Sequence, residues 1–189
     1  MDKKFKIIIA VIAVIIIAII GALFILGNSA QTLEGSGATL TIPKDYEINF
    51  EKGYATKDDV TIMFSGIMGD PKFTTDLYKA LEANGKNSGY ENITEDNING
   101  FKAYEYAAKT DNRVMVKYGS STEWTEYTPL NFTDASGQNI PSDHYRVIDY
   151  ISPNNSTMNE LVIFGKNPDT DLYSNEITEM INSISVKQK

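Results

Sequence analysis

Residues 144–164, HYRVIDYISPNNSTMNELVIF, contain two apolar runs on either side of a turn signal at Pro153, Asn154 and Asn155. Valine, isoleucine, tyrosine and phenylalanine favour strands, whereas proline and asparagine favour turns. The stretch therefore predicts an antiparallel hairpin with strands over residues 144–152 and 158–164.

Further strands are predicted on both sides of this hairpin in the sequence. Between residues 60 and 68, Val60, Ile62 and Phe64 alternate with Thr61, Met63 and Ser65, which is the period of a strand. A turn at residues 97–100 separates a short strand near Ile93 from a strand over residues 101–109. Similar patterns predict strands over residues 38–42, 46–50 and 114–118.

Two helices are predicted among these strands. The first begins at Asp70-Pro71, carries an apolar stripe with Leu77 and Leu81, and ends at Gly85. The second is amphipathic, and its apolar stripe consists of Tyr173, Ile177, Met180, Ile181 and Ile184. Runs of strands with two separated helices predict an α+β sandwich built on a central antiparallel sheet.

The N-terminal region predicts one transmembrane helix. Residues 7–26, IIIAVIAVIIIAIIGALFIL, contain no charge and follow Lys3, Lys4 and Lys6. A helix of twenty residues spans roughly 30 Å, the thickness of the bilayer core. Because positive residues stay cytoplasmic, residues 1–6 should form a cytoplasmic stub and 7–26 an uncleaved signal anchor in the lipid bilayer. A flexible Gly/Ser linker is predicted over 27–37 and an extracytoplasmic domain over 38–189.

Two other interpretations of the N-terminus stay open. A cleaved signal peptide normally has a shorter apolar core, and cleavage after Ala30 would place Asn28 where a small residue is preferred. A pilin-like surface subunit would continue its apolar helix as an amphipathic stem, but Gly27, Asn28 and Ser29 interrupt the pattern here.

The charge of the chain limits its partners. Residues 31–189 carry 14 of the 17 basic and 24 of the 25 acidic residues, a net charge of −10. Such a surface repels phosphate backbones, so no nucleic-acid partner is expected. The chain has no cysteine, which excludes a disulfide framework and a cysteine-linked lipid anchor.

Three segments carry a resemblance to a known family. They are GATLTIPKDYEINF (37–50), ITEDNINGFKAYEY (93–106) and LVIFGKNPDTDLYSNEITEMINSISV (161–186). Their order of strand, central hairpin with a glycine turn, and closing helix resembles PsbP-like domains of the PsbP/Mog1 type. The resemblance covers most of residues 37–186, apart from an insertion at 119–143.

The resemblance implies an α/β/α sandwich with a central antiparallel sheet. It also implies a non-catalytic role in the assembly, docking or stabilisation of a membrane-associated or cell-envelope protein complex. No cofactor and no binding residue is implied, because the resemblance rests on pattern and order and not on a functional motif.

Catalytic and metal-binding chemistry finds little support in the sequence. A nucleophilic triad needs a base beside a nucleophile, cysteine is absent, and the single histidine is His144. Asp143 and His144 are neighbours at a predicted strand, so their side chains should point to opposite faces.

Asp169 and Asp171 begin a calcium-loop-like pattern that lacks its glycine and final glutamate, which favours a helix cap. Metal ligands and enzymatic activity are therefore not expected. The main alternative to a non-catalytic binding role is a small cell-surface enzyme that acts on envelope polymer.

The insertion provides the candidate recognition residues, which are the aromatic side chains Tyr118, Trp124, Tyr127 and Phe132. A connection of about 25 residues exceeds the usual loop length, and long connections are often functional or disordered. Aromatic rings with polar tips suit protein or sugar surfaces. In the alternative interpretation, these rings pack as a small hairpin that covers an end of the sheet.

Four sequons make the protein a candidate glycoprotein. Their acceptors are Asn92, Asn131, Asn154 and Asn155, and modification requires an exposed acceptor and a glycosylating host. Asn131, Asn154 and Asn155 lie in predicted loops, which makes them the better candidates.

Overall fold

The computed structural model describes residues 30–35, 38–68, 71–109, 114–116, 125–127, 133–151 and 158–186. These residues form an α+β structure, mostly antiparallel sheet with two helices. The strands are β1 (Ala30–Glu34), β2 (Ala38–Pro43), β3 (Glu47–Asn49), β4 (Tyr54–Lys57), β5 (Val60–Met68), β6 (Tyr90–Ile98), β7 (Phe101–Lys109), β8 (Val114–Val116), β9 (Thr125–Tyr127), β10 (His144–Ile151), β11 (Met158–Gly165) and β12 (Ser185–Val186). The helices are α1 (Pro71–Asn84) and α2 (Asn175–Asn182), and a 3₁₀ turn (Gly85–Ser88) follows α1.

A seven-stranded antiparallel sheet dominates the domain. Its strand order is β3-β4-β5-β11-β10-β7-β6, so the predicted β10–β11 hairpin lies in its middle. The hairpin is confirmed: Tyr145 pairs with Phe164, and Ile148 pairs with Leu161. Both strands are buried almost throughout because both faces of these central strands are covered.

A second sheet corrects the predicted linker. Strands β1, β2 and β12 form a three-stranded antiparallel sheet in which Leu33 pairs with Leu40. The prediction of a flexible linker over 27–37 is therefore wrong for residues 30–34. The Gly and Ser residues that suggested a linker lie outside this segment, whose Leu33 is buried in the core. Strands β4 and β12 were also not predicted, since both are too short to show a period.

Two apolar clusters cover the opposite faces of the large sheet. One contains Leu161 and Ile163 of β11 together with Ile177 and Ile181 of α2 and residues of β2. The other contains Val162 and Phe164 of β11 together with Leu77 and Leu81 of α1, and Tyr145 and Val147 of β10. Alternate residues of one strand thus serve different clusters, as strand geometry requires.

Both predicted helices are confirmed, with one correction at a helix start. In α2, Ile177, Met180 and Ile181 are buried, as the apolar stripe predicts. The predicted cap at Asp169 or Asp171 is wrong, because the Ser174 side chain accepts a hydrogen bond from the Ile177 N–H. Asp171 caps a turn instead, where its carboxylate accepts from the Tyr173 N–H at 2.9 Å.

The membrane-spanning prediction concerns residues 7–26, which lie outside the described part of the chain, as does the stub at 1–6. Among the described residues, no helix has the length and apolar character needed to cross a bilayer.

Candidate functional site

One end of the large sheet carries two neighbouring cavities. The register aligns Val60 and His144 with Gly165 at this end, and His144 also with Lys109. The cavities have volumes of about 750 and 520 Å³. Both are lined by Pro168 and Thr170 of the loop at residues 166–174, which joins β11 to α2. We call them the Lys57 cavity and the His144 cavity, and together they form the end groove.

Residues from four segments line the Lys57 cavity. They are Tyr46, Lys57, Asp58, Asp59, Val60, Asn167, Pro168, Asp169, Thr170 and Glu176. The Lys57 ammonium lies 2.7 Å from the Asp45 carboxylate and 2.9 Å from that of Glu176, and these hydrogen bonds raise the pKa of Lys57. Burial, and then the charge of Glu176, raises the pKa of Tyr46. This network holds the start of α2 to the β3 and β4 region.

The His144 cavity contains an unexpected contact. The His144 Nδ1 lies 3.4 Å from the Asp143 Oδ2, so the prediction that these side chains point apart is wrong. Asp143 precedes the first residue of β10, and the alternation of a strand does not apply to it. The His144 Nε2 lies 3.0 Å from the Thr170 carbonyl oxygen. The ring thus lies between a carboxylate and a main-chain carbonyl.

Arg146 holds the loop at residues 166–174 against the sheet beside the His144 cavity. Its guanidinium donates to both carboxylate oxygens of Glu105, at 3.0 and 2.9 Å, and to the Leu172 carbonyl at 2.9 Å. The Tyr173 ring lies 4.2 Å from the guanidinium carbon. Tyr173 is 40% exposed, and partial burial raises the pKa of its hydroxyl. The loop at 166–174 is therefore held to the sheet by a buried cation and not only by apolar contacts.

The groove offers mainly polar contacts. The His144 Nε2 contacts the Thr170 carbonyl oxygen, whereas its Nδ1 lies buried beside Asp143 without a hydrogen-bond partner among the described residues. The Thr170 hydroxyl accepts from the Asn167 N–H at 3.3 Å. Within the described ranges, no three His, Asp or Glu side chains are grouped so as to hold a metal ion. The arrangement can bind a partner through carboxylates, main-chain groups and the Tyr173 ring.

The predicted aromatic site is only partly within the described chain. Tyr118, Trp124 and Phe132 lie outside it, and Tyr127 ends strand β9, where its main chain pairs with Val114. The β8–β9 hairpin is the backbone arrangement that the packed-hairpin interpretation predicts; the positions of the rings lie outside the description. The longer segment that contains the insertion leaves the large sheet after Lys109 and returns to it at His144, and both of these residues line the His144 cavity.

The last part of the insertion packs against the domain. Ile140 is buried in the cluster under α1, and the Asp134 carboxylate lies 3.3 Å from the Lys52 ammonium. Hydrogen bonds, first from the Ser136 hydroxyl and then from the Gln138 N–H and Lys52, lower the pKa of Asp134 to about 2. These contacts make residues 133–140 part of the folded domain.

Of the four sequon acceptors, Asn92 lies in the described chain, whereas Asn131, Asn154 and Asn155 lie outside it. Asn92 is exposed and has a φ of 51°, in a bulge of β6 between Glu91 and Thr94. Its side chain lies near the Tyr173 hydroxyl, at the rim of the His144 cavity, and partly offsets the rise in the pKa of that hydroxyl that burial causes.

A buried acidic pair was missed by the sequence analysis. Asp149 and Glu160 lie directly opposite each other on β10 and β11, and each is 1% exposed. Neither residue lines either cavity of the end groove. The sequence shows that each residue is a carboxylate inside a predicted apolar strand. Their pairing could not be predicted, because it depends on the register of the hairpin.

Comparison with known proteins does not assign a role to the groove. The chain matches no protein-family model, and no curated protein matches it. The geometry and chemistry of the described residues are therefore the basis on which a function is proposed.

Proposed function

We propose that this chain is a single-pass membrane protein whose N-terminus is cytoplasmic and whose extracytoplasmic domain binds a component of a membrane or cell-envelope protein complex without catalysis. The domain is proposed to be PsbP-like, an α/β/α sandwich in which α1 and α2 cover the two faces of the antiparallel sheet. Helices packed on opposite faces support this proposal.

Two observations support the binding role. They are the end groove and the place at which the segment with the insertion leaves the sheet. Two cavities lie side by side, and the segment that contains Trp124 leaves and re-enters the sheet at Lys109 and His144, which line one of them. A partner bound in the groove would therefore lie beside the two points at which this segment joins the sheet. Concave sites with a few converging polar groups are the usual places where proteins bind partners or ligands.

The position of the groove suits a partner at the membrane. The predicted span ends at Leu26 and β1 begins at Ala30, so three residues separate them and the two ends can lie at most about 14 Å apart. The Gln31 amide donates to the Pro43 and Tyr46 carbonyls, and Tyr46 lines the Lys57 cavity. The groove would thus lie near the bilayer surface, where another membrane protein can reach it.

A surface enzyme is the second candidate, and the contact of His144 with Asp143 beside a cavity favours it. General base catalysis requires a nitrogen that can approach the proton it removes. The Nε2 of His144 is occupied by the Thr170 carbonyl instead, and the facing carboxylates of Asp149 and Glu160 are buried outside the groove. These features favour binding over hydrolysis of an envelope polymer.

Crosslinked co-purification of the full-length protein from its native membrane tests the proposal. The wild type is compared with Trp124→Ala in the insertion and with Asp169→Lys, which reverses an exposed charge in the Lys57 cavity. Matched controls are Phe50→Ala, an aromatic residue that is 81% exposed, and Glu82→Lys on the exposed side of α1.

We expect a defined membrane or envelope protein with the wild type and both controls, and its loss with Trp124→Ala or Asp169→Lys. Loss with only one of the two would assign the contact to the insertion or to the groove. Absence of any partner from the wild type would contradict the binding role, and hydrolysis of envelope polymer by the purified protein would favour the second candidate.

A further inference from the structure

A row of four residues crosses the middle of the large sheet on the face covered by α1. The register places Tyr104 opposite Asp149, Asp149 opposite Glu160, and Glu160 opposite Gly66. Asp149 lies two residues from Val147, which belongs to the cluster under α1, so the row shares that face. A strand irregularity next to Glu160 interrupts the β5–β11 register at this point.

The two carboxyl groups in this row are almost completely removed from water. Asp149 and Glu160 are each 1% exposed, and the Asp149 Oδ1 is buried without a hydrogen-bond partner among the described residues. Two ionised carboxylates side by side in such a place would repel each other and would both lose their hydration. One proton between them removes a charge and supplies a hydrogen-bond donor.

We infer that Asp149 and Glu160 share a proton, which makes the α1-covered face of the sheet a pH-sensitive element that is stable with the proton and weakened without it. The electrostatics agree with this geometry. Burial, followed by the charge of Glu160 and the hydrogen bond to it, raises the pKa of Asp149 well above its usual range.

The sign of the pH dependence follows from the raised pKa of Asp149. An unfolded aspartate loses its proton near its ordinary pKa of 3.8, whereas the folded protein keeps it to higher pH. The stability that comes from the protonated pair is therefore complete below about pH 4, declines as the pH rises, and is lost once the folded protein releases the proton.

Other ionisable groups lie on this face of the sheet and on the elements packed against it. From β7, Tyr104 faces Asp149, and the Tyr104 ring lies 5.1 Å from the Lys102 ammonium, which pairs with Glu95 of β6. From α1, the Tyr78 ring lies 4.5 Å from that of Tyr104.

Helix α1 also carries Asp76, Lys79 and Glu82 among the side chains that the structure describes. Lys79 and Glu82 are exposed. From residues 133–143, Asp134 pairs with Lys52 and ionises near pH 2, below the range in question.

Thermal unfolding of the full-length protein in detergent, followed by circular dichroism between pH 5.5 and pH 8, tests the inference. Asp149→Asn keeps the shape of the side chain and removes its proton equilibrium, and Glu160→Gln does so for its partner. Glu82→Gln removes an exposed carboxylate of α1 and is the control. Infrared spectroscopy over the same pH range detects a protonated carboxyl group directly.

We expect the wild-type and Glu82→Gln midpoints to fall by about 3–5 °C per pH unit over the range in which one proton is released on unfolding. Asp149→Asn should flatten this dependence and remove a protonated-carboxyl infrared band that the wild type shows. An equal slope in Asp149→Asn would overturn the inference, as would the absence of that band from the wild type. The wild-type spectrum decides the matter if Asp149→Asn does not fold.

Discussion

At the scale of single residues, Arg146 connects the sheet to the loop between the two cavities. Its side chain and that of Glu105 are 7% and 13% exposed, and the guanidinium also donates to the Leu172 carbonyl. A buried pair of this kind contributes little net stability, but removing one partner leaves the other charge buried and uncompensated.

Arg146→Ala should therefore lower the free energy of unfolding by about 3–5 kcal/mol, as measured by chemical denaturation. The control is Lys102→Ala, which breaks the exposed pair with Glu95 and should cost less than about 1 kcal/mol. If the two variants lose the same stability, Arg146 does not have the structural role that its contacts suggest.

At the scale of secondary structure, β11 and β10 fit together closely where they meet the end groove. Gly165 lies opposite His144, and a Cβ at residue 165 would approach the His144 Cε1 to 2.5 Å. Glycine at this position thus allows the imidazole ring to lie against the strand and reach the Thr170 carbonyl.

Gly165→Ala should displace the ring and cost about 1–3 kcal/mol of folding stability. His144→Ala removes the obstacle, so the double variant should lose less than the sum of the two single losses. A double-mutant cycle by chemical denaturation measures this coupling. Additive losses would show that the two residues do not interact as described.

The long strands and both helices could be predicted from the sequence, but the short strands β1, β4 and β12 and the long-range arrangement could not. Apolar periods of 2 and 3.6 residues identify the hairpin at residues 144–164 and the stripes of both helices, because these signals are local. The register that brings Asp149 opposite Glu160 joins residues whose chemistry alone argues against contact. Likewise, β1 was hidden because glycine and serine around it resemble a linker.

The candidate site shows the same limit. Asp143 and His144 were assigned to opposite faces by a rule that holds only within a strand, and the strand begins at His144. The end groove itself combines Lys57, Thr170 and Lys109, which are far apart in sequence and meet only through the sheet order.

At the scale of the whole molecule, the proposed arrangement is an acidic domain held close to a bilayer. The domain is connected to the predicted span by three residues, and β1 begins there, in place of the helical stem that a pilin-like subunit would require. In this proposed arrangement, a short connection would favour partners at the membrane surface, and the net charge of −10 in residues 31–189 would discourage contact with anionic lipid heads.

The central claim, that the domain is outside the membrane and the N-terminus inside, can be measured with single cysteines because the natural chain has none. Glu51→Cys changes an exposed residue of the β3–β4 turn, and Lys3→Cys changes the predicted cytoplasmic stub. We predict that a membrane-impermeant maleimide labels the Glu51→Cys variant in intact cells and labels the Lys3→Cys variant only after lysis. Labelling of Lys3→Cys in intact cells, or protection of Glu51→Cys until lysis, would contradict the account.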